Sequence, residues 1–221
     1  MDIHDVSDVP EYWQMLEGQK RTLRNARSKM GQRLKETKPR EEVLMTFMLQ
    51  RMSTRPTAGQ HFIRSSFIPL AYYPSTSPLK DLTKIMIMDL TIETHHRGSY
   101  LLLRAVSPPR KMTAIMAVVE DEIGHVLMLQ LYNQEKELAM GYLKQGTVII
   151  VKEPYLKIMA DGDYGIRVDH LSDVRFLPAY DDLVPLSWRE RVTEEDLTAN
   201  DWKTTGNHLF KQGNYLQAID E

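Results

Sequence analysis

Residues 112–132 read Met-Thr-Ala-Ile-Met-Ala-Val-Val-Glu-Asp-Glu-Ile-Gly-His-Val-Leu-Met-Leu-Gln-Leu-Tyr, and this stretch decides the fold. Two apolar runs, Met112–Val119 and His125–Tyr132, flank a polar segment that ends at Gly124. Apolar runs joined by about five polar residues ending in glycine are typical of a β-hairpin. The stretch therefore predicts two paired strands, with the acidic residues 120–122 as a solvated tip.

Strand-like runs continue on both sides of this hairpin, and one helical run interrupts them. The runs are Leu82–Leu90, Tyr100–Val106, the two hairpin strands, Thr147–Met159 and Tyr164–Val168. Tyr100–Val106 is either a strand of its own or the second half of a bent first strand. Asn133 reads as the N-cap of a short helix at 134–143, between the third and fourth strands. This order predicts an α+β protein built on a small OB-like five-stranded β-barrel with one helix between strands 3 and 4. A β-sandwich with one stray helix is the main alternative. OB barrels are used mainly for binding, so the order favours binding over bond-making.

Composition sets the limits on class and compartment. The chain has 221 residues, 42% hydrophobic and 26% charged, which is ordinary for a globular protein able to bury a core. It has no cysteine, which excludes disulfides, thiolate metal sites and cysteine nucleophiles within it. The acidic start, Met1–Asp5, lacks the apolar segment of a secretory signal, and no run is long and apolar enough for a membrane span. We expect a cytoplasmic or nuclear protein.

Charge is spread unevenly along the chain. Between Gly18 and Arg40 there are nine basic residues against the single acid Glu36: Lys20, Arg21, Arg24, Arg27, Lys29, Arg33, Lys35, Lys38 and Arg40. The C-terminal third is acidic instead. This asymmetry is compatible with an acidic partner for the N-terminal region. It is equally compatible with a solvated helix face, or with the two ends neutralising each other.

The chain divides into five predicted regions. Helical spacing of apolar residues predicts a helical N-terminal region, and loop composition predicts a connector and an acidic linker on either side of the barrel. The regions are 1–53 (helical), 54–80 (connector), 81–178 (barrel), 179–198 (acidic linker) and 199–221 (a partial helical repeat).

Catalytic and metal-binding signatures are missing from the sequence. His95 and His96 are adjacent, so their side chains would point apart in a strand, and we interpret both as turn residues rather than metal ligands. The segment from Asp161 fits a hairpin turn better than a calcium loop, because its twelfth residue is Ser172 and not glutamate. No glycine-rich phosphate loop or nucleophile elbow is present. We therefore predict no cofactor, no metal and no catalytic residue.

Single-stranded nucleic acid is one candidate ligand of the barrel. Such binding needs exposed aromatic side chains interleaved with basic ones. The barrel region supplies a sparse set of candidates: Arg97, Tyr100, Arg104, Arg110, Lys111, Tyr132 and Lys144. The many acids in the same region would oppose phosphate binding.

The last 23 residues, from Ala199, resemble the opening of a tetratricopeptide (TPR) repeat. The matching positions are its aromatic, small, inner-helix and turn positions: Trp202, Gly206, Leu209, Gly213, Tyr215 and Ala218. Thr205 and Leu209 depart from the usual leucine and tyrosine. The resemblance implies a helical hairpin and a protein partner. One partial repeat cannot bury its own apolar face, so we expect a truncated product from which further repeats are missing.

The arrangement as a whole is similar to large fungal proteins in which TPR repeats precede a SET methyltransferase domain. The phrases Val118-Val-Glu-Asp-Glu and Val151-Lys-Glu-Pro-Tyr155 carry that resemblance. It implies protein-lysine methyl transfer for the complete protein, but no SET motif lies in this chain. The function we predict is a non-catalytic protein-interaction or scaffold fragment. The alternative is an OB-type module that binds single-stranded nucleic acid.

Overall fold

A computed structural model describes residues 10–53, 70–133, 142–159 and 161–189, together with residues 203, 206, 207 and 211. The chain forms two compact units, Met1–Phe176 and Leu177–Glu221. In the second unit, residues 178–189 make successive turns that end in a short 3₁₀ helix, Leu186–Trp188. Within the described residues, no helix combines the length and apolar character needed to cross a bilayer.

The first unit is built on a ten-stranded mixed sheet. Its strands are β1 (Thr83–Ile85), β2 (Thr94–His95), β3 (Ser99–Ala105), β4 (Arg110–Lys111), β5 (Ile115–Glu120), β6 (Val126–Leu131), β7 (Val148–Lys152), β8 (Tyr155–Ile158), β9 (Tyr164–Val168) and β10 (Val174–Leu177). The spatial order is β10-β7-β3-β5-β6-β9-β8-β2, with β1 beside β3 and β4 beside β5. The pairs β2–β8, β3–β5, β3–β7, β4–β5, β5–β6 and β8–β9 are antiparallel, and the pairs β1–β3 and β6–β9 are parallel.

The predicted hairpin at 112–132 is confirmed. Strands β5 and β6 pair antiparallel over six residues each, from Ile115 opposite Leu131 to Glu120 opposite Val126. Ten of these twelve residues are hydrophobic and eleven are buried, which is the pattern of strands covered on both faces.

The predicted fold class is wrong. The described part is mostly β, with ten strands in one mixed sheet and only two α-helices, and not a small five-stranded barrel flanked by a helical TPR hairpin. The expected bent strand over 82–106 is three strands, because Asp89 accepts the Met86 N–H and closes a 3₁₀ turn at Ile87–Asp89. Thr147–Met159 is likewise split, at Glu153 and Pro154. The predicted helix at 134–143 and the TPR positions Trp202, Leu209, Gly213, Tyr215 and Ala218 lie outside the described residues, apart from Tyr142 and Leu143 of the helix.

Two helices precede the sheet. They are α1 (Pro10–Arg27) and α2 (Arg40–Ser53), with a turn and an extended segment between them. Arg24 and Arg27 lie in the last turn of α1, and Glu41 and Glu42 in the first turn of α2, where each charge opposes the local end of the helix dipole.

The core has two parts, one on each side of the sheet strands. The larger cluster contains fully buried leucine and isoleucine side chains, including Leu101, Leu129, Ile149 and Ile166. The smaller cluster lies under α2 and consists of Phe47, Val106, Val118, Val126, Met128 and Met159, with Val43, Leu44 and Met116 packed against it. This second cluster explains why β5 and β6 carry apolar side chains on both faces.

Candidate functional site

The segment before α2 is held against the sheet by backbone hydrogen bonds. Gly31 N–H donates to the Ile92 carbonyl and Leu34 N–H to the Leu90 carbonyl, at 2.9 and 2.8 Å. Leu34 is buried in the larger core cluster. These contacts join residues 61 and 56 positions apart, and they hold the segment between α1 and α2 against residues 90–92, which connect β1 to β2.

A groove of about 410 Å³ lies between this N-terminal segment and the sheet. Its apolar lining comes from α2, β5, β6 and the end of β8, through Phe47, Met116, Met128 and Met159 among others. Nothing in the sequence pattern distinguishes these groove-lining methionines from ordinary core side chains. Flexible thioethers suit an adaptable binding surface as well as a core.

The rim of the groove carries charges of both signs. Lys38 Nζ lies 2.6 Å from Asp163 Oδ2 and 4.0 Å from Glu42 Oε1. The hydrogen bond to Asp163 raises the pKa of Lys38 above 10.5, so the ammonium is firmly charged. Glu36 and Asp161 add two further carboxylates to the same rim, and Lys29 adds a second cation.

A row of exposed cations runs from α1 into the following segment. Arg21, Arg24, Arg27, Lys29 and Lys35 are all exposed, and none has a salt bridge among the described residues. We call these five residues the basic row. The other four cations of the run are paired: Lys20 with Glu17, Arg33 with Asp89, Lys38 with Asp163, and Arg40 with Glu120. These salt bridges occupy four of the nine cations between Gly18 and Arg40, and the five of the basic row are available to an anionic partner.

Two of the predicted nucleic-acid contacts hold buried glutamates. Arg97 Nη1 donates to Glu153 Oε2 at 2.6 Å, and Arg104 Nε donates to Glu120 Oε1 at 2.9 Å. Burial alone would raise the pKa of Glu153, but hydrogen bonds from Arg97 and the Gly98 N–H outweigh it and lower that pKa below 4.5. A phosphate would have to compete with these carboxylates.

The remaining five contacts are spread over different elements. Tyr132 is buried, and its hydroxyl donates to Gln130 Oε1 at 2.9 Å. Tyr100 lies half-buried on β3, Arg110 and Lys111 lie on β4, and Lys144 is exposed before β7. Their role in nucleic-acid binding stays a prediction.

The acidic hairpin tip is largely buried, contrary to expectation. Glu120 and Asp121 are 5% and 1% exposed. Glu120 binds Arg104 and Arg40, while Asp121 accepts the backbone N–H groups of Ile87, Ile123 and His125. Buried carboxylates persist when such partners satisfy them. The apolar residues around these acids indicated burial, but the arginine partners of Glu120 are 16 and 80 positions away in the sequence.

His95 and His96 are not simple turn residues. His95 lies in β2, in edge-to-face contact with Tyr72 and Tyr155, and burial lowers the pKa of its imidazole below 6.5. His96 Nε2 accepts the Thr91 N–H at 2.8 Å, so Nδ1 carries the proton that is donated to the Pro154 carbonyl. Among the described residues, no group of three or more His, Cys, Asp or Glu could hold a metal ion.

An ion pair is buried beside this histidine pair. Arg167 binds Asp169 through two hydrogen bonds, at 2.8 and 2.6 Å, and its guanidinium lies 5.7 Å from the ring centres of both Tyr72 and Tyr132. The Tyr72 N–H also donates to Asp169, at 3.1 Å. This cluster ties residues 70–75 to β9, and we interpret it as structural.

The described part of the chain thus combines a mixed β-sheet, a groove and a row of exposed cations. In sequence, the chain is 33% identical over 222 residues to a Gibberella zeae protein named "Methyltransferase". That match covers 99% of this chain but only 28% of the relative. This relative supports the resemblance to a fungal methyltransferase that the sequence indicated. No protein-family model matches the chain.

Among solved structures, similarity is found to two that contain Pot1 or its Pot1pC part, one from Schizosaccharomyces pombe and one named as fission yeast. The Pot1pC domain bound to single-stranded DNA shares 13% identity, over 49% of this chain and 91% of that chain, with a TM-score of 0.33. The fission yeast Pot1 structure with single-stranded DNA shares 10% identity, over 68% of this chain and 48% of that chain, with a TM-score of 0.37. With TM-scores of 0.33 and 0.37, these similarities do not support an inference about function.

Proposed function

We propose that this chain is a non-catalytic binding segment of a fungal methyltransferase-type protein. The observation that carries the proposal is the 33% identity to the Gibberella zeae protein along 99% of the chain. Because the match spans only 28% of that relative, most of the relative lies outside it and is the better place for methyl transfer. The sequence of this chain carries no glycine-rich nucleotide signature. The TPR and SET assignments stay predictions.

Isothermal titration of the purified chain with S-adenosylmethionine tests the non-catalytic part of the proposal. We expect no saturable heat, and no transfer of radiolabelled methyl groups to added protein. An intact methyltransferase measured in the same buffer is the positive control. Saturable donor binding by this chain in the micromolar range would contradict the proposal.

Nucleic-acid binding is the second candidate function, and the basic row favours it. Three of its five cations are arginines, and a guanidinium offers a planar pair of donors that matches phosphate oxygens. The cations of α1 are spaced three residues apart, which places them about 4.5 Å apart along the helix axis. A flexible single strand can follow such a row with successive phosphates.

Fluorescence anisotropy with a labelled 12-nucleotide single strand tests this second function. Replacing Arg21, Arg24 and Arg27 together with glutamine should weaken binding at least tenfold at low salt. The control replaces Lys80, Lys203 and Lys211 with glutamine, three exposed lysines outside both the basic row and the predicted contacts, and should leave affinity nearly unchanged. A triple arginine variant that binds as tightly as the unmodified chain would refute the basic row.

A further inference from the structure

The groove and the basic row meet at Lys29, which belongs to the row and also lines the groove. Gly162, another lining residue, packs against the side chain of Thr22 on α1. Because each helical residue turns by about 100°, Arg24 and Arg27 lie on the side of α1 away from Thr22. A chain bound along these arginines would therefore reach the mouth of the groove at Lys29, just beyond the end of α1.

The groove is the right kind of space for one flat, partly polar group. Its volume of about 410 Å³ is at the small end of the range for small-molecule sites, which begins at about 300 Å³. Its floor is apolar, through Phe47 and Met128. Its rim offers the carboxylates of Glu36 and Asp161, which are acceptors for N–H donors.

The acidic rim of the groove favours a nucleic acid over an acidic peptide as the ligand. An acidic peptide could match the basic row, but an acidic side chain entering the groove would meet the Glu36 and Asp161 carboxylates. A nucleobase is uncharged, has apolar faces, and in cytosine, adenine and guanine carries an exocyclic amino group that can donate to a carboxylate. A base paired and stacked in a duplex cannot leave the stack without cost, so an unpaired strand fits better.

The geometry points to a base-binding groove: a single-stranded nucleic acid lies with its phosphates on the basic row and inserts one amino-bearing base between α2 and the β5–β6 hairpin. This assignment rests on the nucleic-acid function proposed above. It adds the strand state, the kind of base and the place where that base lies.

Three labelled probes test the assignment by fluorescence anisotropy at a single low salt concentration. They are a 12-nucleotide oligo-dC, an abasic strand of equal length, and the oligo-dC annealed to its complement. We expect oligo-dC to bind about tenfold more tightly than the abasic strand, since stacking on one inserted base supplies that difference. The duplex should bind no better than the abasic strand.

A groove-filling variant locates the effect. Thr46 is exposed on α2 and lines the groove, so Thr46→Trp fills the space without altering a buried position. This variant should lower oligo-dC affinity to that of the abasic strand and leave abasic binding unchanged. Met45→Trp adds the same side chain one position away, at a residue that is 64% exposed and does not line the groove, and should change neither affinity.

The outcomes separate the assignment from the function on which it rests. Equal affinity for oligo-dC and the abasic strand would overturn the base-binding groove while leaving phosphate binding by the basic row intact. Binding of neither strand would overturn both. Competition by polyglutamate as effective as competition by unlabelled oligo-dC would also overturn the assignment, in favour of an acidic peptide.

Discussion

Removing the carboxylate of Asp169 should destabilise the first unit more than any surface charge change. The Asp169 side chain is fully buried, and the Arg167 side chain that it binds is only 10% exposed. Asp169→Ala therefore leaves a guanidinium buried without its carboxylate, and also removes the acceptor of the Tyr72 N–H. Breaking a buried ion pair in this way costs about 3–5 kcal/mol.

Urea unfolding, followed by circular dichroism of the sheet, measures this cost. With a denaturant slope of about 2 kcal/mol per molar, the unfolding midpoint should fall by about 1.5–2.5 M. Glu17→Ala, which removes the acid of the exposed Lys20–Glu17 pair, is the matched control and should change stability by less than about 1 kcal/mol. The double variant Arg167→Met with Asp169→Ala should recover part of the lost stability, because neither charge of this pair then remains buried. A loss below about 1 kcal/mol for Asp169→Ala would refute the buried pair.

Two further predictions concern His96 and Gly162. Burial lowers the pKa of His96 below its usual 6.5, so the folded protein binds fewer protons than the unfolded chain. The contribution of neutral His96 to stability is full above about pH 6.5 and is lost as pH falls through the lowered pKa of the folded state. Urea midpoints measured at several pH values should therefore depend less on pH in His96→Gln than in the unmodified chain. An equal pH dependence in both would refute the role of His96. Gly162→Ala places a methyl group on Thr22 at a φ of +87°, whereas Gly124→Ala at +95° meets nothing within 4 Å. Both variants should lose about 1–2 kcal/mol of stability, because alanine disfavours a positive φ. Gly162→Ala should lose more in thermal unfolding, because its methyl group also meets Thr22. Equal losses would contradict the packing of α1 on the β8–β9 turn.

Local patterns in the sequence were enough to predict the hairpin. Residues 112–132 hold both strands and their connection, so pairing depends on neighbours along the chain. A helical region was likewise predicted over 1–53, and its described part, residues 10–53, contains α1 and α2, with α1 ending at Arg27. Beyond it the chain turns at Gly31 and joins the sheet through Leu34, a contact that depends on residues 90–92.

Long-range polar contacts account for what the sequence did not reveal. The split of residues 82–106 into three strands depends on two hydrogen bonds, from the Met86 N–H to Asp89 and from the Thr91 N–H to His96. The burial of Glu120 depends on Arg40 and Arg104, which arrive from α2 and β3. Nothing in the local spacing of these residues indicates such pairs. The groove was missed for the same reason, since its two walls, residues 29–47 and 116–164, are about 70 to 135 positions apart in the sequence.

The salt dependence of single-strand binding tests most directly the claim that the basic row is the phosphate-binding surface of this chain. Each neutralised phosphate of a single strand contributes about −0.7 to the slope of log affinity against log salt concentration, so full use of five cations gives about −3.5. Replacing Arg21, Arg24 and Arg27 with glutamine should bring the slope to about −1.4. A slope near zero in the unmodified chain, or one that the triple replacement leaves unchanged, would contradict the account.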